Sequence, residues 1–180
     1  MDVFEAIKGR RSVRSFKPDE VSEKDLRRIL EAAHWAPSAG DLQSRDFVVV
    51  KDRGTKEELS RAAWDQEFIA EAPVDVVVCA NERRASIRYG SRGRDLYCIL
   101  DAAVATQNLM LAAHALGLGT CWIGAFDDEK VRRILKLPDW ERPVAIIPIG
   151  CPKETPSPTP RLPLDKIVRL WEREGGDGSY

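Results

Sequence analysis

At 180 residues, with 43% apolar and 32% charged side chains, the chain suits one soluble domain with a sizeable core. Lys and Arg number 28 against 29 Asp and Glu, a formal net charge of −1, which excludes the broad basic footprint of a nucleic-acid or anionic-membrane binder. Met1-Asp2-Val3-Phe4-Glu5 lacks a signal-peptide pattern and no apolar run reaches bilayer length, so a cytoplasmic location is expected.

A short amphipathic run (Val3, Phe4, Ile7) leads into Gly9-Arg10-Arg11-Ser12-Val13-Arg14-Ser15-Phe16. Guanidinium forks pair bidentately with phosphate oxygens, so this cluster of arginines and hydroxyls is a candidate receptor for a small phosphorylated ligand. A solvated charge run, with Arg14 pairing to Glu5 or Asp19, is the plainer alternative.

Ser22 caps a helix with Glu23 and Asp25 in its first turn, and Leu26, Ile29, Leu30 and Ala33 recur at helical spacing until Pro37 stops the run. Pro37-Ser38-Ala39-Gly40-Asp41 is a turn by composition. Phe47–Val50 reads as a strand and Lys56–Ala63 as a helix. Val74–Cys79 is the strongest strand candidate, with Asp75 fitting only near its start.

The second basic segment, Arg83–Arg94, carries Tyr89 and two glycines and reads as a loop. From Asp95 to about Leu116 runs a helix apolar nearly all round, which one domain can scarcely cover, so burial against a second subunit is expected. Gly117-Leu118-Gly119 ends it. Thr120–Ile123 is a short strand, Gly124-Ala125-Phe126 turns into a helix near Asp127, and Val144–Gly150 is the last strand, with Pro148 placing its end at an edge or bulge. Prolines 152, 156, 158, 160 and 163 make an extended arm.

Strict strand–helix alternation is missing at the front, and neither GxGxxG nor GxxxxGK[ST] occurs, so the class is α+β. Cys79, Cys98, Cys121 and Cys151 form no CxxC, and reduced core thiols are favoured over disulfides, which stay open. His34 suits a helix C-terminus and His114 a local hydrogen bond; neither suggests catalysis, and no metal set is visible.

Together Arg10–Arg14, Pro37–Gln43, Gly117-Leu118-Gly119-Thr120-Cys121-Trp122-Ile123-Gly124, Ile149-Gly150 and Arg161-Leu162-Pro163 closely resemble the FMN-dependent nitroreductase family in its compact form. The resemblance implies a mixed, mainly antiparallel sheet flanked by helices, in a domain-swapped homodimer with FMN at the interface. Residues 1–180 would be one FMN-binding domain, with 152–180 as an extended C-terminal arm. On this resemblance Arg10, Arg11, Ser12 and Arg161 would hold the FMN phosphate and ribityl side, with Arg14 nearer the ring. Pro37, Ser38, Ala39 and Gln43 would approach from the other subunit, and Gln66 would meet the pyrimidine edge. Trp122 and Ile123 would lie beneath the flavin loop, where Gly124 and Ala125 offer N–H groups. Trp122, Trp35, Trp64 and Trp140 read as packing residues.

Asp41 departs from the family, which commonly has asparagine there; a carboxylate cannot donate unless protonated, so it faces solvent or an arginine compensates it. The segment is a candidate lid in which Tyr89 would contact substrate and Arg88, Arg92 and Arg94 would draw an anionic donor, against a solvated loop. The implied activity is ping-pong reduction of small acceptors (nitroaromatics, quinones or flavins) by NAD(P)H. The same fold also hosts dehydrogenase, dehalogenase and flavin-fragmenting chemistry, and a flavin- or nucleotide-binding module without turnover is a further alternative.

Overall fold

β2 (Val74–Asn81) is buried at every position and sets the layout of the computed structural model, which describes residues 1–171. The last part of the proposed arm, 172–180, lies outside the described residues. β2 pairs antiparallel with β1 (Arg45–Val50) on one side and β4 (Glu141–Gly150) on the other, and the two-residue β3 (Gly119–Thr120) completes the order β1-β2-β4-β3. A parallel bridge between Ser12 and Thr120 makes the sheet mixed but mainly antiparallel, as expected. Side chains alternate along β2. Val74, Val76, Val78 and Ala80 enter a core with α2 (Glu23–His34) and α6 (Cys98–Ala115). Val77 and Cys79 enter a second core, with α3 (Arg53–Ala62), α4 (Phe68–Glu71) and α7 (Asp128–Leu135). With both faces covered, β2 needs apolar residues on both, which explains its largely hydrophobic run, with Asp75 as the acidic exception.

The caps follow local chemistry. Ser22 Oγ accepts from Asp25 N at 3.1 Å at the start of α2, and Asp127 accepts from Lys130 N at 2.9 Å at the start of α7. Asp52 accepts from Thr55 N at 2.8 Å and starts α3 three residues before the expected Lys56. Of the expected Thr120–Ile123 strand only Thr120 joins the ladder, together with the preceding Gly119, while Ile123 makes an isolated bridge to Ile146.

Three expectations are corrected. Pro148 lies within β4, an interior strand. Ile146 N donates to Ile123 O, so two residues on the Pro148 nitrogen points the same way, toward the gap between Thr120 and Ile123 where no ladder bond is needed. Arg83–Arg94 is not a loop: Asn81 caps α5 (Glu82–Arg92) by accepting from Arg84 N. Gly90 (φ 53°, ψ −136°) kinks α5, and a π-helical turn, Gly93–Tyr97, delays the start of α6 to Cys98. A Cβ on Gly93 would sit 2.4 Å from Ala85 O, so the kinked pair closes only on glycine. Third, Trp35, Trp64, Trp122 and Trp140 are exposed in the single chain, Trp35 at 85%.

The continuous helical stretch Glu82–Ala115 is long and apolar enough to match a bilayer span, contrary to the reading of the sequence. Its Ala102, Ala105, Leu109 and Ala113 are buried against the sheet and α2, which makes it a core helix. The opposite stripe of Leu96, Leu100 and Val104 is exposed, Leu100 at 50%. All four cysteines are free, and burial pushes the Cys79 thiol up to about 12.

Candidate functional site

α1 (Val3–Gly9) ends where its backbone meets α6: a Cβ on Gly9 would lie 2.7 Å from His114 Nε2. The chain leaves α1 extended, with Val13 N donating to Thr120 O at 2.9 Å. This aligns Arg10, Arg11, Ser12 and Arg14 along a cleft of about 450 Å³, whose far wall is the arm segment with Ser157, Thr159 and Arg161. Two segments about 150 residues apart thus bring together the four residues read as phosphate ligands, Arg10, Arg11, Ser12 and Arg161, with Arg14 beside them.

Among the described residues the cleft is lined by no carboxylate. Arg11 Nη1 donates to Lys8 O, Gly9 O and Arg10 O at 2.7, 2.8 and 2.9 Å, completing the end of α1, while its Nε is buried without a partner. Arg10 Nη1 is also buried and unpartnered. Burial lowers the Arg10 pKa, Cys121 opposes that shift, and Arg161 and Arg11 add to it. His114 is held below its ordinary value by burial and by the Arg10 and Arg11 charges. Orphaned guanidinium N–H groups in a positive field fit a phosphate, which supplies both acceptors and countercharge. Neither Glu5 nor Asp19 pairs with Arg14 among the described residues; Glu5 accepts instead from Asp2 N at 2.8 Å.

Pro37, Ser38, Ala39 and Gln43 do not line that cleft. They form a tight loop around the 3₁₀ turn Ala39–Asp41, with positive φ at Gly40, Asp41 and Gln43. Ser38 Oγ accepts from Gln43 N at 2.9 Å. The exposed Asp41 takes only a 3.4 Å contact from Gln43 Nε2. The loop also touches α5: a Cβ on Gly40 would lie 2.6 Å from the Tyr89 hydroxyl. Of the other lid candidates, Arg92 Nε donates to Tyr97 OH at 2.8 Å, and Arg94 pairs with Asp95 at 2.8 Å.

A third group lies at the end of β3. Gln66 Nε2 donates to Ala63 O at 2.9 Å and Ala125 O at 3.2 Å, tying down the Gly124-Ala125 turn. Ile123 is buried, whereas Gly124 and Ala125 are exposed beside the half-exposed indole of Trp122. The Gln66 amide therefore braces this turn, a use that the sequence did not suggest.

Residues 7–67 and 56–151 match the model of the Nitroreductase family. This chain is a nitroreductase-family protein. It is 36% identical over 198 residues to an NADH dehydrogenase of Thermus thermophilus, covering 95% of this chain and 96% of that one. It is 30% identical over 179 residues to an FMN reductase [NAD(P)H] of Bacillus subtilis, covering 92% and 72%. A nitroreductase family protein from Streptococcus pneumoniae superposes with a TM-score of 0.87 at 28% identity, over 94% of this chain and 100% of that one.

Three residues that the sequence did not single out hold the Pro37–Gln43 loop in place. Asp101, buried on α6, accepts from Ala39 N at 2.9 Å and Ser44 Oγ at 2.5 Å. Arg45 donates to His34 O and Ala36 O at 2.8 Å each, closing the end of α2 where the loop begins. Arg84 donates to Gln43 O at 2.6 Å and pairs with Asp46 at 2.9 Å. The one available signal was negative: an acid in an apolar helix needs a buried partner.

Proposed function

We propose that this nitroreductase-family chain is an NAD(P)H-dependent FMN oxidoreductase that reduces small acceptors such as nitroaromatics, quinones or free flavins. The observation that carries this reading is the acid-free arginine cleft with its buried, unpartnered Arg10 Nη1 and Arg11 Nε. Relatives named FMN reductase [NAD(P)H] and oxygen-insensitive NADPH nitroreductase support the cofactor and the donor.

FMN, when bound, supplies a ring that takes a hydride from one substrate and passes electrons to another. Arg10, Arg11, Ser12 and Arg161 hold its phosphate, and Arg14 places positive charge toward the ring. Gln66 fixes the Gly124-Ala125 turn so that its backbone N–H groups are presented in one orientation, which costs no reorganisation when charge develops. The donor and the acceptor use one exposed face in turn, which gives ping-pong kinetics.

The working unit is a cytoplasmic homodimer. Support comes from the exposed stripe on α6, from exposed Val3, Phe4 and Ile7 on α1, from the apolar exposed arm residues Leu164, Ile167 and Val168, and from the open edge of β1. A partner covering these surfaces brings its own Pro37–Gln43 loop to the flavin.

Anaerobic titration tests the reading: purified protein binds FMN, and NADH or NADPH bleaches it. Arg10→Ala and Arg161→Ala each weaken FMN about 10–100-fold, the worth of a lost charge-assisted hydrogen bond. Protein that takes up no FMN defeats the proposal, and bound FMN that neither donor bleaches leaves only a flavin-binding module.

A further inference from the structure

The nicotinamide donor carries phosphates of its own, and the arginine cleft is committed to a different phosphate. The donor therefore needs a second cation near the flavin-facing surface. Of the four guanidinium groups on α5, two are already engaged. Arg84 is held by Asp46 and two backbone carbonyls, and Arg92 by Tyr97 OH. In the turn that follows, Arg94 is paired with Asp95. Arg83 and Arg88 rest on aromatic faces, Arg83 over Trp140 at 5.1 Å and Arg88 over Tyr89 at 5.6 Å.

Only Arg88 of these two lies at the loop read as a flavin wall. A Cβ at Gly40 would meet Arg88 Nη1 at 3.0 Å as well as the Tyr89 hydroxyl. Arg88 makes no ion pair among the described residues, and its side chain is exposed. The kink at Gly90 ends the regular turn directly after Tyr89, and Tyr97 meets the Tyr89 ring edge-on at 5.1 Å, so the Arg88-Tyr89 pair is braced from behind. At Gly40 (φ +57°) even a methyl group would collide with both tips.

We propose that Arg88, seated over Gly40 by Tyr89, is a specificity-determining residue that pairs with a phosphate of the nicotinamide dinucleotide donor. This rests on the FMN oxidoreductase reading above. It narrows the donor-binding role of this segment to Arg88, since Arg92 is already bonded to Tyr97 and Arg94 to Asp95. A planar fork with unused donors matches a phosphate bidentately, whereas an ammonium at the same place supplies charge without that geometry.

The test uses FMN-loaded wild-type, Arg88→Gln and Arg88→Lys protein. Calorimetric binding of the oxidised dinucleotides NADP⁺ and NAD⁺ reads affinity without turnover. Anaerobic rapid mixing with NADPH, NADH and the uncharged donor N-benzyl dihydronicotinamide reads the reductive step. Arg88→Gln weakens dinucleotide binding about tenfold and lowers the preference for the dinucleotide over the benzyl donor by the same factor. Arg88→Lys keeps part of both, and raising the salt concentration narrows the gap.

A loss confined to the NADP(H) pair assigns the ribose phosphate, and an equal loss with both pairs assigns the shared pyrophosphate; either supports the proposal. Unchanged NADP⁺ and NAD⁺ affinity, or an equal change with the benzyl donor, overturns it. A loss seen only with an anionic acceptor such as nitrobenzoate also overturns it. Wild-type protein that binds FMN and is bleached by NAD(P)H while Arg88→Gln behaves identically sinks this inference alone. Wild-type protein that is not bleached sinks the oxidoreductase reading with it.

Discussion

Asp101→Ala removes the acceptor that joins α6 to the Pro37–Gln43 loop, and its cost follows from two bonds. The carboxylate, 4% exposed, accepts from Ala39 N at 2.9 Å and from Ser44 Oγ at 2.5 Å, and Ser44 is itself buried. A hydrogen bond to a charged group contributes about 1.5–3 kcal/mol, and a donor left buried and unpaired costs a similar amount. Arg45 and Arg84 still hold the two ends of the loop, so part of it stays in place. The expected loss is therefore about 3–5 kcal/mol, a large share of the roughly 5–15 kcal/mol typical of a domain. Asn keeps an acceptor for Ala39 N and can donate its NH₂ to the Ser44 hydroxyl, losing only the charge assistance, so Asp101→Asn costs about half as much or less. Urea denaturation of the FMN-free protein measures both variants, with the midpoint falling and the slope unchanged. An Asp101→Ala loss under about 1 kcal/mol, or an Asn variant as damaged as the Ala variant, would refute the two-bond account.

Glutamates at Leu100 and Val104 together place two charges on the exposed stripe of α6. Size-exclusion chromatography should then report a monomer with weakened FMN binding, while the urea midpoint of the FMN-free monomer moves little; a flavin-loaded dimer would remove this stripe from the interface. His114 reports on the cleft: Arg10 and Arg11 help to hold its pKa down, so inorganic phosphate or FMN should raise it toward the ordinary imidazole value in an NMR titration. No movement at saturating phosphate would place the anion elsewhere. Asp75 has both carboxylate oxygens buried without a partner; burial raises its pKa well above the ordinary value, against a smaller opposing effect of Lys56. The folded chain thus binds this proton more tightly than the unfolded chain, so the ionisation of Asp75 adds no cost below the ordinary carboxylate pKa. Its cost grows as pH rises from there to its elevated pKa. Asp75→Asn should gain stability relative to wild type across that window, measured by urea midpoints at several pH values, and a pH-independent difference would contradict it.

The contrast between Asp75 and Asp101 marks where reading the sequence stops. Each is an acid in an otherwise apolar element, yet one is an orphan and the other joins the loop to the core helix. Nothing within four residues of either distinguishes them. Arg83–Arg94 failed for the same reason. Its glycines read as loop residues, but Asn81 capping and the packing of Gly93 against Ala85 make them a kink and a contact between two helices.

The residues did determine, by local chemistry, the Ser22 and Asp127 caps, the α+β class, and the concentration of guanidinium groups at Arg10–Arg14 that motivates the phosphate proposal. Helix capping and bidentate anion recognition act over a few residues, so they are written in short segments. Arg161 joined that cluster through the family resemblance, and its place in the cleft comes from the fold. The bonds from Asp101 span 62 and 57 residues, and the Tyr89 hydroxyl reaches a glycine nearly fifty residues before it. Which acid meets which donor, and which arginine is left over to bind a ligand, is decided only when the chain closes. Chain closure brings together groups whose separation along the sequence carries no signal of their contact.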